Sequence, residues 1–123
     1  MDKAEENTVK FKVCLVDEMP LILDGIETLL KDAPNLEVIG KYRDGAQFLG
    51  ELKNRKCNLL ITEIALPHMD GLNIARKIAA EQLNVDILFY THIREINIFG
   101  RAMGLGARDY VLKTDEPSTL IRT

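Results

Sequence analysis

The sequence predicts an α/β domain of the doubly wound kind, a parallel sheet covered by helices on both faces. Short apolar runs recur five times along the chain, amphipathic helical stretches separate them, and Pro, Gly, Asn and Asp cluster at the junctions. Strands buried on both faces read as nearly unbroken apolar runs, and strict alternation with helices implies right-handed crossovers. A length of 123 residues suits one domain with one core. With 46% hydrophobic and 28% charged residues, the composition argues against disorder, collagen and coiled coil.

Residues 1–9 are polar and aperiodic, a flexible leader before a domain over 10–123. Phe11-Lys12-Val13-Cys14-Leu15-Val16 reads as the first strand, bounded by Asp17-Glu18. Pro20 suits the first turn of a helix over 19–32, in which Leu21, Ile22, Ile26, Leu29 and Leu30 recur at helical spacing until Asp32-Ala33-Pro34-Asn35. A second strand spans 36–42, and Asp44 is placed to cap a helix carrying Ala46, Phe48, Leu49 and Leu52. Leu59-Leu60-Ile61-Thr62 is the third strand. Residues 66–71 form a turn-rich loop, followed by a helix with Leu72, Ile74, Ala75 and Ile78 on one face. Residues 85–91 and 110–112 are the fourth and fifth strands, with a helix over 95–105 between them. Pro117 should open a fifth helix, which the end at Thr123 leaves truncated.

Sixteen Lys plus Arg against nineteen Asp plus Glu give a net charge of -3, which offers no grip on a polyanion, so direct nucleic-acid binding is not expected. Apolar runs fall far short of the roughly 20 residues that span a bilayer, so no membrane segment is expected and a cytoplasmic location is. Cys14 and Cys57 lack any ligand spacing and read as two buried or half-buried free thiols. His68 and His92 are equally solitary.

In a doubly wound sheet the ligand site lies beyond the carboxyl ends of the strands. The first strand ends in Asp17-Glu18, the third in Glu63 and the fourth in Thr91, and the fifth is followed by Lys113. Carboxylates crowded at one point need a compensating cation, either Lys113 or a divalent metal on oxygen ligands, for which magnesium is the natural candidate. Thr91 and Lys113 could then hold oxygens of a phosphoryl group.

Val16-Asp17-Glu18, Leu66-Pro67-His68-Met69-Asp70-Gly71, Thr91 and Tyr110-Val111-Leu112-Lys113 together resemble the receiver domains of two-component response regulators, over about residues 10–119. The segment 102–113 looks most like receivers of the NarL/LuxR type. The resemblance implies a flavodoxin-like strand order, 2-1-3-4-5. It implies Asp17, Glu18, Glu63 and the Ala65 carbonyl as magnesium ligands, Thr91 and Lys113 as the phosphoryl contacts, and Tyr110, with Thr91, as the switch residues. It implies a histidine kinase or phosphotransfer protein as partner, a homodimer as an allowed assembly, and transcriptional control through a DNA-binding domain absent from this chain.

One departure from the family matters most. Four residues before Pro67 the family places its phosphoacceptor aspartate, and here that position is Glu63. Its carboxylate reaches roughly 1.5 Å further out, where about 1 Å of misplacement can cost on the order of 100-fold. The expectation is a non-phosphorylatable or phosphomimetic receiver, and not an enzyme. The alternatives are a phosphorylation-independent interaction scaffold and a magnesium-dependent phosphotransfer enzyme. His92, where the family usually has a small residue, either covers the pocket or faces solvent, and Thr114 replaces a frequent Pro.

Overall fold

A computed structural model describes residues 10–54 and 56–122, so the leader expected over 1–9 lies outside the described residues. Its strands are β1 (Phe11–Val16), β2 (Leu36–Tyr42), β3 (Leu59–Thr62), β4 (Asp86–Thr91) and β5 (Asp109–Leu112). The helices between and after them are α1 (Pro20–Leu30), α2 (Gly45–Leu52), α3 (Gly71–Ala80), α4 (Ile96–Gly104) and α5 (Thr119–Arg122). All four strand pairings are parallel, in the order β2-β1-β3-β4-β5. The chain winds outward in both directions from β1 and β3, so a crevice opens where their carboxyl ends diverge.

The apolar strands are buried because both sheet faces are covered. On one face Cys14, Val16, Leu60 and Phe89 pack under Phe48 of α2, Leu72, Ile74 and Ile78 of α3, and Ala102 of α4. On the other, Val13, Leu15, Ile61, Leu88 and Val111 pack against Leu23, Ile26 and Leu30 of α1 and Leu120 of α5. Successive strand residues thus serve opposite layers, as a pleat of period two requires.

Helix starts carry their own local chemistry. Pro20 stands at the start of α1, and the Asp44 side chain accepts from the Ala46 and Gln47 N–H groups at 2.7 and 3.3 Å, capping α2 as the sequence implies. Asp70 caps α3 through the Asn73 N–H at 2.8 Å. Pro117 opens a turn, and the helix begins only at Thr119. The Thr119 N–H donates to Glu116 O and the Leu120 N–H to Pro117 O, bonds of three-residue reach that wind too tightly for α-helix. Similarly, β4 begins at Asp86 because the Val85 N–H turns back to Leu83 O at 3.0 Å.

Candidate functional site

Four strand ends meet at one point. Asp17, one residue beyond β1, and Glu63, one beyond β3, are each only 3% exposed, and Thr91, the last residue of β4, is fully buried. Lys113 follows β5 directly, and its backbone N–H donates to Thr91 O at 2.8 Å, which directs the side chain back across the sheet ends. Its Nζ lies 2.7 Å from Asp17 Oδ2 and 2.9 Å from Glu63 Oε1. One ammonium thus spans two buried carboxylates.

Glu63 is held from several sides. Oε1 also lies 3.0 Å from His92 Nδ1, while Oε2 accepts from the backbone N–H groups of Ile64 at 2.6 Å and Ala65 at 3.3 Å. Burial pushes its carboxyl upward, but hydrogen bonds from Thr91, Lys113 and His92 outweigh that and hold it below the usual carboxylate range. For Lys113, burial works against the charged form, yet hydrogen bonds to Asp17 and Glu63 hold the ammonium above the ordinary lysine value. Each side chain favours the charge that the other needs.

The loop after β3 makes this geometry. Its N–H groups can converge on Glu63 because the chain turns at Ile64 and closes with the Gly71 N–H on Ile64 O at 2.8 Å. A Cβ at Gly71 would come within 2.6 Å of Glu63 O and 2.9 Å of Ile64 Cα, so only glycine lets α3 begin this close to the pocket. His68 turns with φ of 66°, and its Nδ1 lies 2.7 Å from Asp44 Oδ2, tying this loop to the start of α2.

A chain of hydrogen bonds leads away from the carboxylates. The Thr91 side chain bonds Glu63 and its Oγ1 accepts from the Ile93 N–H at 3.2 Å; Ile93 O in turn accepts from the Tyr110 hydroxyl at 2.8 Å. The Tyr110 ring packs edge-on against Phe99 of α4, with centroids 5.2 Å apart.

Among the residues named from sequence, Asp17, Glu63, Thr91 and Lys113 are brought together, and Tyr110 joins them through Ile93. Glu18 is exposed, and its backbone carbonyl accepts from Arg43 Nε at 2.9 Å. Ala65 meets the site through its N–H on Glu63. His92 does both things its position allows: the ring is 66% exposed and also contacts Glu63. The Ile64 and Ala65 N–H groups have no sequence signal, because backbone donors look alike in every residue, and the Arg43 anchor has none because its acceptor is a backbone carbonyl.

As arranged, the donors do not fit a magnesium ion. Asp17 Oδ1 accepts from the Met19 N–H at 2.9 Å and Oδ2 from Lys113, and both Glu63 oxygens are engaged as described. Among the described residues, no group of three His, Cys, Asp or Glu is gathered closely enough to hold a metal ion. Lys113 supplies the positive charge at this point.

Comparison with known proteins agrees with this architecture. The isolated receiver domain of RcsB from Salmonella enterica serovar Typhimurium, solved with the phosphomimetic BeF3-, superposes with a TM-score of 0.87 at 23% identity, covering 92% of this chain and 84% of that one. The receiver domain of the putative regulator NarL from Mycobacterium tuberculosis gives 0.86 at 24% identity, covering 93% and 92%. In sequence, the chain is 31% identical over 112 residues to the probable transcriptional regulatory protein SgaR of Hyphomicrobium methylovorum, covering 91% of this chain and 53% of SgaR. It is 33% identical over 101 residues to the fimbriae Z protein of Salmonella typhimurium, covering 82% of this chain and 48% of that protein. The chain therefore spans about half the length of these two relatives. No helix among the described residues is long and apolar enough to cross a membrane. The family model of the response regulator receiver domain matches residues 13–123, and the chain belongs to that family.

Proposed function

We propose that this receiver is held in one signalling state by Glu63, which stands at the phosphoacceptor position and takes up contacts that a phosphoryl group would otherwise take. One observation carries the reading: a single carboxylate is bonded at once by Lys113, His92, Thr91 and the Ile64 N–H. A carboxylate brings one negative charge where a phosphoryl group brings about 1.5 to 2, so the imitation is partial. It still bonds Thr91, from which the Ile93 and Tyr110 bonds lead to the α4 surface.

On this reading the module is a signalling switch and not an enzyme. Its surface meets a histidine kinase or phosphotransfer protein, or a second copy, and its output is transcriptional, through a DNA-binding domain outside this chain. Magnesium on Asp17, Glu18, Glu63 and the Ala65 carbonyl binds weakly, because the ion must displace Lys113 and shed tightly held water. A second reading, a scaffold indifferent to phosphorylation, draws support from the same closed ion pair.

Intact-mass measurement after incubation with acetyl phosphate and magnesium tests the assignment. The parent should gain nothing and Glu63→Asp should gain the mass of one phosphoryl group, about 80 Da. An adduct on Glu63 itself overturns the geometric argument, and an unreactive Asp variant favours the scaffold.

A further inference from the structure

We propose that Cys14 and Cys57 are a dithiol site that closes to a reversible intramolecular disulfide when the protein meets a peroxide. The site lies towards the amino ends of the strands, away from the carboxylate pocket. Cys14 is in the interior of β1 and Cys57 lies just before β3, which pairs with β1. The two segments are clamped side by side, since the Asn58 N–H donates to Lys12 O and the Lys12 N–H donates to Asn58 Oδ1, each at 2.8 Å. Cys57 thereby turns inward, into the same apolar cluster as Cys14. The two side chains are hydrogen-bonded to each other, and neither cysteine is in a disulfide. Closing an S–S bond of about 2.05 Å then joins two side chains that already meet in one apolar cluster.

The surroundings assign the roles. Cys57 is buried but flanked by exposed Lys56 and Asn58, and so lies nearer the surface than Cys14, which is deep in the sheet. The Cys57 thiol donates to Leu59 O at 3.1 Å, and the hydrogen bond with Cys14 holds it below its ordinary value while burial pushes it up. Cys57 is the attacking sulfur and Cys14 the resolving one. The Cys57 thiolate attacks one peroxide oxygen and the O–O bond breaks. Hydroxide leaves, takes up a proton as water, and Cys57 becomes a sulfenic acid. The Cys14 sulfur gives up its proton and attacks the Cys57 sulfur, and the S–O bond breaks to release a second water. In sum, two thiols lose two electrons and hydrogen peroxide is reduced to two waters. The product staples β1 to the start of β3, the two strands whose far ends carry Asp17 and Glu63.

The test is hydrogen peroxide treatment of the full chain, followed by alkylation under denaturing conditions and peptide mapping without reductant. The expected result is a loss of about 2 Da, no alkylation at either cysteine, a joined peptide containing Cys14 and Cys57, and full recovery with dithiothreitol. Cys14→Ser should leave Cys57 as a sulfenic acid that dimedone traps, and Cys57→Ser should leave Cys14 unmodified. Should either variant fail to fold, mapping of the parent decides alone. Free thiols after treatment, Cys57 over-oxidised beside a free Cys14, or disulfides only between chains would each overturn the proposal.

Discussion

Lys113 sits where two buried carboxylates would otherwise face each other, and its loss shows how much the pocket depends on charge. Because its pKa is raised in the fold, its contribution is fully present below the ordinary lysine value and is lost only as pH climbs through the raised one. Lys113→Ala leaves Asp17 and Glu63 buried without a counterion, and breaking such a pair costs on the order of 3 kcal/mol, read by urea unfolding at neutral pH. Magnesium can then reach oxygens that the ammonium had occupied, so the variant should gain more thermal stability from magnesium than the parent does. An identical magnesium-induced shift in both proteins would sink this account of the pairing. The four residues at this point were legible in the sequence because strand ends of a doubly wound sheet must converge, and Asp17, Glu63, Thr91 and Lys113 all follow or end apolar runs. The Ile64 and Ala65 N–H groups were not legible, because their direction depends on the path of the loop and on no residue type.

Asp44 joins helix and loop, since one carboxylate oxygen caps α2 while the other meets the His68 ring. The His68 hydrogen bond first, and then the Ala46 N–H, hold the Asp44 carboxyl below its usual range. A depressed carboxylate contributes stability above its unfolded pKa and loses it as pH falls through the folded value. Asp44→Asn keeps a capping oxygen but drops the charge, so it should be less stable than the parent at neutral pH, with the gap closing in acid, as pH falls through the depressed carboxyl value. Urea midpoints at neutral and acid pH measure this, and an unchanged gap would mean the His68 contact contributes nothing. At the head of α3, Gly71→Ala places a methyl against backbone, and overpacking of that kind costs roughly 1–3 kcal/mol. The same unfolding experiment reads it, and a neutral substitution would show that the loop around Glu63 can give way. The strands and most helices were legible because burial on both faces writes itself as apolar runs, and Asp44 as a cap because its side chain type is specific. The start of α5 was not, since a proline suits both a helix start and the tight turn that precedes Thr119.

Strand order turns separate residues into one connected device. With β1 and β3 adjacent and β4 and β5 beyond them, Asp17, Glu63, Thr91 and Lys113 line up across the sheet, and Tyr110 on β5 lies beside Phe89 of β4 and against α4. The path from Glu63 through Thr91 and Ile93 to Tyr110 is continuous in hydrogen bonds, so pocket geometry and the α4 surface share one set of contacts. Spatial continuity alone is not coupling, and coupling needs an element that both ends bias. Glu63→Asp withdraws the carboxylate by about one methylene without removing its charge, and so lengthens the first link of the path while sparing the rest. Amide and aromatic NMR spectra of the variant should therefore shift at Ile93 and Tyr110 as well as at Ile64 and Lys113. Tyr110→Phe, which removes the far hydrogen bond at a cost of about 1 kcal/mol, should confine the Glu63→Asp shifts to the pocket side of Ile93. Shifts at the residue 110 ring and at Phe99 that stay the same size with and without the Tyr110 hydroxyl would show that ring packing, and not the hydrogen-bond path, carries the pocket's effect to α4.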